Sequence, residues 1–243
     1  MGDSLQRGVT PKDGLSPQKS DRRTAPRAGK RAANRPGRRP GPKSTFTRAD
    51  AVEAALALGI GSFTMRAVAA RLGVQPGALY RVCGSRDDLQ HAALQRIAAL
   101  HLGERSRAAS TWQACLRAMA DDMWACAVAH PESPMVIMTR PDAFTSALEY
   151  FTSLIQQLVD LGIPGGQQTA VFAADFIGDT TLATFIQMRA FHRPGSETGA
   201  VADEVLARMG DAPDVFGISS IGERGLLDSK IDFIIQGIEA GAH

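Results

Sequence analysis

The chain has 243 residues, 44% of them hydrophobic, and a formal net charge of +2, which suits one large or two small globular domains with a full core. No run of about 18 apolar residues is present, so no membrane span is expected. The charged N-terminus lacks an apolar segment, which argues against a secretory signal.

The small net charge hides a steep gradient. Residues 1–45 carry a net +9, residues 46–101 a net +2 and residues 102–243 a net −9. A basic front and an acidic back predict that a polyanion meets only the front. Residues 1–44 almost lack large apolar side chains and cannot offset their ordering entropy by burial, so they are expected to be disordered alone. Within them, Arg35-Pro-Gly-Arg-Arg-Pro-Gly-Pro-Lys43 has the composition of arms that lie in A·T-rich minor grooves. Arg38, Arg39 and Lys43 would make such contacts; the other reading is a solvated tail.

Helical periodicity begins after Thr47, a cap for a first helix carrying Ala51, Val52, Ala55, Leu56 and Leu58 and ended by Gly59 and Gly61. Thr64 caps a second helix with Met65, Val68, Ala69 and Leu72 on one face, stopped by Gly73. Pro76 suits the first turn of a third helix, with Leu79 and Val82 on its buried side. Helices two and three form a helix-turn-helix, the second short enough for a major groove. Ser85 caps a fourth helix through Leu89, Ala92, Ala93, Arg96, Ile97 and Leu100, with Asp87 and Asp88 at its positive end.

The next helix runs from Thr111 to His130 and is broken by Pro131 and Pro134; another covers Asp142–Leu161. Residues 167–193 are the most apolar long segment. Residues 194–224 are Gly/Pro-punctuated and acidic, only Val201–Met209 looks weakly helical there, and mobility is expected. A last helix spans Gly225–Ala240. With no strand alternation and no internal repeat, the fold class is all-α: an N-terminal three-helix bundle with a helix-turn-helix, then a larger C-terminal helical domain. The expected boundaries are 1–45 for the arm, 46–101 for the DNA-binding domain with its linking helix, and 102–243 for the rest. Cys83, Cys115 and Cys126 are few, odd in number and without metal-ligand spacing, as expected of reduced thiols in a cytoplasm.

The exposed start of the third helix offers small and hydrogen-bonding residues, which lets a backbone approach base edges. Gln75 can bond an adenine, while Pro76 and Ala78 can pack on a thymine methyl and Gly77 leaves room. Thr64 and Arg86 stand at helix starts, where phosphate binding is favoured. Thr-Met-Arg-x-Val-Ala-x-Arg-Leu-Gly-Val from Thr64, Gly-Ala-Leu-Tyr-Arg from Gly77 and Ser-Arg-Asp-Asp-Leu from Ser85 together resemble the tetracycline-repressor (TetR) family of bacterial transcription regulators. The family's aromatic after the tyrosine is replaced by Val82 and Cys83, and its lysine at the head of the next helix by Arg86. The resemblance implies that Tyr80, with Arg81 beside it, contacts a phosphate. It also places Arg66 where the family's namesake reads a guanine.

A second match to that namesake runs through Trp112-Gln113, Leu116-Arg117, His130 and Thr139-Arg140-Pro141. The resemblance puts His101 at a drug-binding position, Val136 in place of a metal-ligating histidine, and Met119 and Met123 in place of a drug-binding asparagine and phenylalanine. Loss of the imidazole removes a metal ligand, and methionine supplies a soft apolar wall. Magnesium–tetracycline is therefore not the expected effector, and no metal or cofactor is expected. The candidate pocket comprises His101, Met119, Met123, Val136, Thr139, Arg140, Phe144 and Phe176; its methionines and phenylalanines read equally well as plain core. The family's two-fold helix pairing implies a homodimer through the helices around 167–193 and 225–240, which suits a palindromic operator. The function expected is a repressor that binds a double-stranded operator and is released by a small, largely apolar organic effector. The alternative is a DNA-binding regulator without such an effector, controlled by abundance or a protein partner. No catalytic constellation, metal set or phosphate loop stands out, so an enzyme is not expected.

Overall fold

The computed structural model describes residues 46–140, 142–191, 204, 207, 208 and 224–241, which fall within one compact unit, 44–243. Among them every regular element is helical. In chain order these are α1 (Arg48–Leu58), α2 (Met65–Arg71), α3 (Pro76–Cys83), α4 (Arg86–His101), the single turn α5 (Glu104–Arg107) and α6 (Trp112–Ala129). Then come α7 (Ser133–Thr139), a 3-10 helix (Ala143–Ala147), α8 (Leu148–Asp160), α9 (Gly166–Phe191) and α10 (Leu227–Glu239). The expected helix over Val201–Met209 and most of the segment 194–224 lie outside the described residues.

Short-range chemistry sets the helix starts. Thr47, Thr64, Ser85 and Thr111 each accept a hydrogen bond from a first-turn backbone N–H of α1, α2, α4 and α6. Asp50 and Asp88 complete reciprocal capping boxes with Thr47 and Ser85. The stop of α2 is equally local. Gly73 takes φ +68°, and the Gly73 and Val74 N–H groups donate to the Ala70 and Ala69 carbonyls at 3.1 and 2.9 Å. That pair of bonds closes the helix end and turns the chain into α3.

Two expectations change between residues 131 and 148. Pro131 and Pro134 end α6, but Pro134 also falls in the first turn of a further helix, α7, where proline costs no hydrogen bond. The helix expected over Asp142–Leu161 begins as a 3-10 helix and becomes α-helical only at Leu148. The Thr145 and Ser146 hydroxyls donate to the Asp142 and Ala143 carbonyls at 2.6 Å each, competing with the α-helical ladder.

The buried side chains gather in two cores. One is built from α1–α4 around Val68, Leu79, Leu89 and Ile97, and Cys126, Val136 and Ala143 close its lower side. The other joins α6, α8, α9 and α10 around Leu116, Met119, Leu158, Ile177, Ile231 and Ile235. Burying each such large aliphatic side chain contributes about 1.5–3 kcal/mol. By length and composition helix α9 could cross a membrane, yet 56% of its apolar window is buried within the protein. Ala170, Ala173, Ala174 and Ile177 put it in the second core.

A buried carboxylate fixes the corner between the cores. Asp122 on α6 is wholly buried. It accepts bonds from the Gly103 N–H at 3.0 Å, the Ser106 N–H at 3.4 Å and the Arg105 guanidinium at 2.8 Å. These bonds satisfy the otherwise unpaired first N–H groups of α5.

Candidate functional site

The helix-turn-helix presents a surface free of negative charge, since no Asp or Glu occurs from Ser62 to Gly84. Leu79 and Cys83 anchor α3 in the core, which leaves Gln75, Pro76, Gly77, Tyr80 and Arg81 exposed and Ala78 half-buried. Tyr80 keeps 49% of its surface in solvent, a large outlay for an aromatic ring on an eight-residue helix. Gly77 has open space where a Cβ would stand, so nothing inside the protein requires a glycine there. On α2, Arg66 and Arg71 are exposed. Among the described residues none of Arg66, Arg71 and Arg81 makes an ion pair. The Thr64 hydroxyl is exposed while capping the Ala67 N–H at 3.1 Å.

Arg86 is held differently from its neighbours. Its guanidinium donates to the Phe63 and Gly61 carbonyls at 3.1 and 3.0 Å and lies 4.9 Å from the centre of the Phe63 ring. It braces the α1–α2 turn against α4. Arg38, Arg39 and Lys43 lie outside the described residues.

Below this head, α4, α6, α7, the 3-10 helix, α8 and α9 enclose a cavity of about 820 Å³. Its wall is largely aliphatic and aromatic, including Ile97, Leu102, Met123, Phe144, Phe151 and Phe172. Phe144 and Phe151 stack at 5.5 Å. Three of the eight residues expected in the pocket, Met123, Arg140 and Phe144, line it. Met119 is fully buried in the second core. Val136 is buried, and with Thr139 it borders a separate cleft beside Glu132; the Thr139 hydroxyl donates to the Met135 carbonyl at 2.7 Å. Phe176 lies on another face of α9, in a groove against α10. His101 pairs with His130, their Nε2 atoms 3.2 Å apart and their rings edge to face. Burial, and then His101, push the His130 imidazole below its ordinary value.

Arg140 joins the cavity to α4 and, through it, to the helix-turn-helix. Its guanidinium donates to Gln90 Oε1 at 2.6 Å, and pairs with Asp87 at 3.1 Å and with Asp142 at 2.8 Å. The hydrogen bonds of Asp142 come first in raising the Arg140 pKa above its ordinary value. Gln90 is itself buried and donates through Nε2 to the Ile60 carbonyl at 2.7 Å. On the same turn, the Gly61 N–H donates to Glu132 at 2.8 Å. A wall residue of the cavity is thus two hydrogen bonds from the backbone that sets up α2.

Sequence reasoning missed the polar side of the cavity: Gln168, Asp175 and Asp179 on α9, with Ser133 and Ser146 opposite. The signal was present, as two acids four residues apart inside the most apolar helix of the chain. Burial, and then Asp175, raise the Asp179 pKa.

No family model matches the chain. A stretch of 127 residues is 32% identical to the HTH-type transcriptional repressor DrrR1 of Streptomyces coeruleorubidus, covering 51% of this chain and 47% of the relative. The chain thus spans about half the length of that relative. Similar folds occur among solved structures. A possible TetR family transcriptional regulator from Streptomyces coelicolor A3(2) matches with a TM-score of 0.63 and 22% identity over 79% of this chain and 98% of its own. Apo ActR from Streptomyces coelicolor gives 0.60 and 17% over 81% and 98%. ActR in complex with actinorhodin gives 0.61 and 18% over 82% and 97%. The chain has the fold of these TetR-family regulators.

Proposed function

We propose that this chain, built on the TetR-family fold, is a transcriptional repressor that binds a palindromic operator as a homodimer and is released by a small organic effector. The observation that carries this reading is the double role of Arg140, which lines the cavity and holds α4 through Asp87 and Gln90. An effector that displaces the guanidinium alters the seat of α4, and α4 carries the reading head. Release requires that the effector bind the off-operator state more tightly than the operator-bound state; tight binding alone shifts nothing. Residues 46–101 would then form the DNA-binding part, and residues 102–243 the effector-binding and dimerisation part. The protein would act in the cytoplasm, its three cysteines buried as free thiols.

In this reading, Tyr80, Arg81 and Arg66 meet phosphate and base edges while Gln75, Pro76, Gly77 and Ala78 read the major groove. Thr64 sits at the head of α2 beside the backbone of the DNA. The basic arm with Arg38, Arg39 and Lys43 would follow the neighbouring minor groove. Arg86 contributes by bracing the turn. Dimerisation would use α9 and α10, where Phe233 is 78% exposed beside Phe176 and Leu226. The large apolar surface left there supports this assignment.

Selection of bound sequences from random duplex DNA by the full-length protein tests the reading. Enrichment of a palindrome that Tyr80→Ala no longer selects, while the dimer persists, is the expected result. Binding that is sequence-independent and merely salt-sensitive would mean that the basic segment dominates, and would sink the repressor reading.

A further inference from the structure

The charges on the cavity wall do not balance. Arg140 is the one cation among the described lining residues, and its guanidinium is already engaged by the carboxylates of Asp142 and Asp87. Asp175 and Asp179 lie four residues apart on α9, one helical turn, and both border the cavity. Neither makes an ion pair or hydrogen bond with any described residue. The cavity therefore carries two uncompensated negative charges beside an aromatic wall of Phe144, Phe151 and Phe172. Phe144 and Phe172 are more than half exposed, so their ring faces are open to an occupant. Ring faces and carboxylates attract the same kind of charge.

We propose that the cavity takes an amphipathic organic cation, whose aromatic body lies against Phe144, Phe151 and Phe172 and whose ammonium is received by Asp175 and Asp179. This rests on reading the cavity as the effector site, and it changes the ligand expected there from a largely apolar molecule to one with a positive end. A bare metal ion fits less well, because no group of three metal-ligating side chains occurs among the described residues and a hard cation takes six or more oxygens. An anionic effector would have to approach both carboxylates while Arg140 is occupied. Burial first, and then the neighbouring Asp175, raise the Asp179 pKa, and a cation bound between the two carboxylates offsets the second of these.

Three probes of one shape test the charge: an anthracene bearing a three-carbon chain that ends in trimethylammonium, hydroxyl or carboxylate. Each is titrated calorimetrically into the full-length protein without DNA, since cationic aromatics also intercalate. The ammonium is expected to bind at one site per chain roughly tenfold more tightly than the alcohol, as fits two half-exposed ion pairs and a cation–π contact. The carboxylate is expected to bind weakest. In D175N/D179N the ammonium falls to the level of the alcohol, whose own affinity is unchanged. Both acids are exposed and unpaired, so the double variant is expected to fold, and its melting temperature checks this. Equal affinities for the three probes, or an ammonium preference that survives in D175N/D179N, overturn the assignment of charge and leave the cavity's role standing. A double variant that loses its dimer but keeps the preference overturns it as well. Failure of all three probes to bind removes the effector site and the cation with it.

Discussion

At the scale of single residues, Gly77 is a glycine that nothing inside the protein requires, and the proposed operator contact supplies the reason for it. A methyl group there meets no atom within 4 Å, and alanine is the better helix former by about 1 kcal/mol. Gly77→Ala is therefore expected to raise the melting temperature slightly while lowering operator affinity about tenfold, a cost of ~1.4 kcal/mol. Unchanged operator affinity in a gel-shift titration would take Gly77 out of the interface. Asp122 is the opposite case, a side chain that serves the fold alone. Asp122→Ala strands the Gly103 and Ser106 N–H groups in a buried corner and is expected to cost about 2–3 kcal/mol in urea denaturation. A change below 0.5 kcal/mol, about the scatter of surface substitutions, would deny the corner its structural role. The thiols make a pH statement. Burial first, with Asp122 adding to it, pushes Cys115 up to about 11, and burial pushes Cys126 up to about 12, both from 9.0. The folded state holds these protons more tightly than the unfolded chain, so stability is lost as pH rises from 9.0 towards those values. At neutral pH iodoacetamide should leave both unlabelled until urea unfolds the protein, as mass spectrometry would register.

Helices were legible from sequence wherever their causes were local. The caps at Thr47, Thr64 and Ser85 and the stop at Gly73 each depend on atoms within five residues, and each stands where the sequence put it. The stretch from Asp142 was misjudged because an apolar stripe reports burial and not winding. Ala143 joins one core while Leu154 and Leu158 join the other. Pocket membership was harder still, since it depends on which neighbours stop short of contact. Met119 and Met123 share a helical face, yet Met123 lines the cavity and Met119 does not. Arg140 was found through the local match at Thr139-Arg140-Pro141. Asp175 and Asp179 were passed over because their helix read as an interface helix throughout. The link from α4 to the α1–α2 turn belongs to this scale too. Gln90→Leu removes both the donor to Ile60 and one acceptor of Arg140, leaving the buried Ile60 carbonyl without that bond while Arg140 keeps Asp87 and Asp142. It is expected to cost about 2 kcal/mol and to speed amide exchange at Gly61–Phe63. Native exchange rates there would show that the turn holds itself.

For the whole molecule, the decisive surface is the face of α9 and α10 turned away from the second core. Phe233 is 78% exposed at the middle of α10, and Phe176 and Leu226 are nearly half exposed around the same groove. A lone apolar side chain on a surface needs no explanation; three large ones around one groove do. Residues 1–101 are basic on balance and residues 102–243 acidic, so charge does not favour pairing of the C-terminal parts, and the proposed association would draw on apolar burial. Phe233→Glu places a carboxylate at the centre of that surface, and two-fold symmetry would bring two such charges together. The variant should sediment as a folded monomer at micromolar concentration, with its helix content intact, because Phe233 contributes nothing to the internal core. Its operator affinity should collapse towards that of a single half-site, since each reading head would bind without the other fixed beside it. A variant that remains dimeric at the same concentration would move the interface elsewhere. A monomer that keeps full operator affinity would instead break the tie between symmetry and recognition on which the palindrome depends.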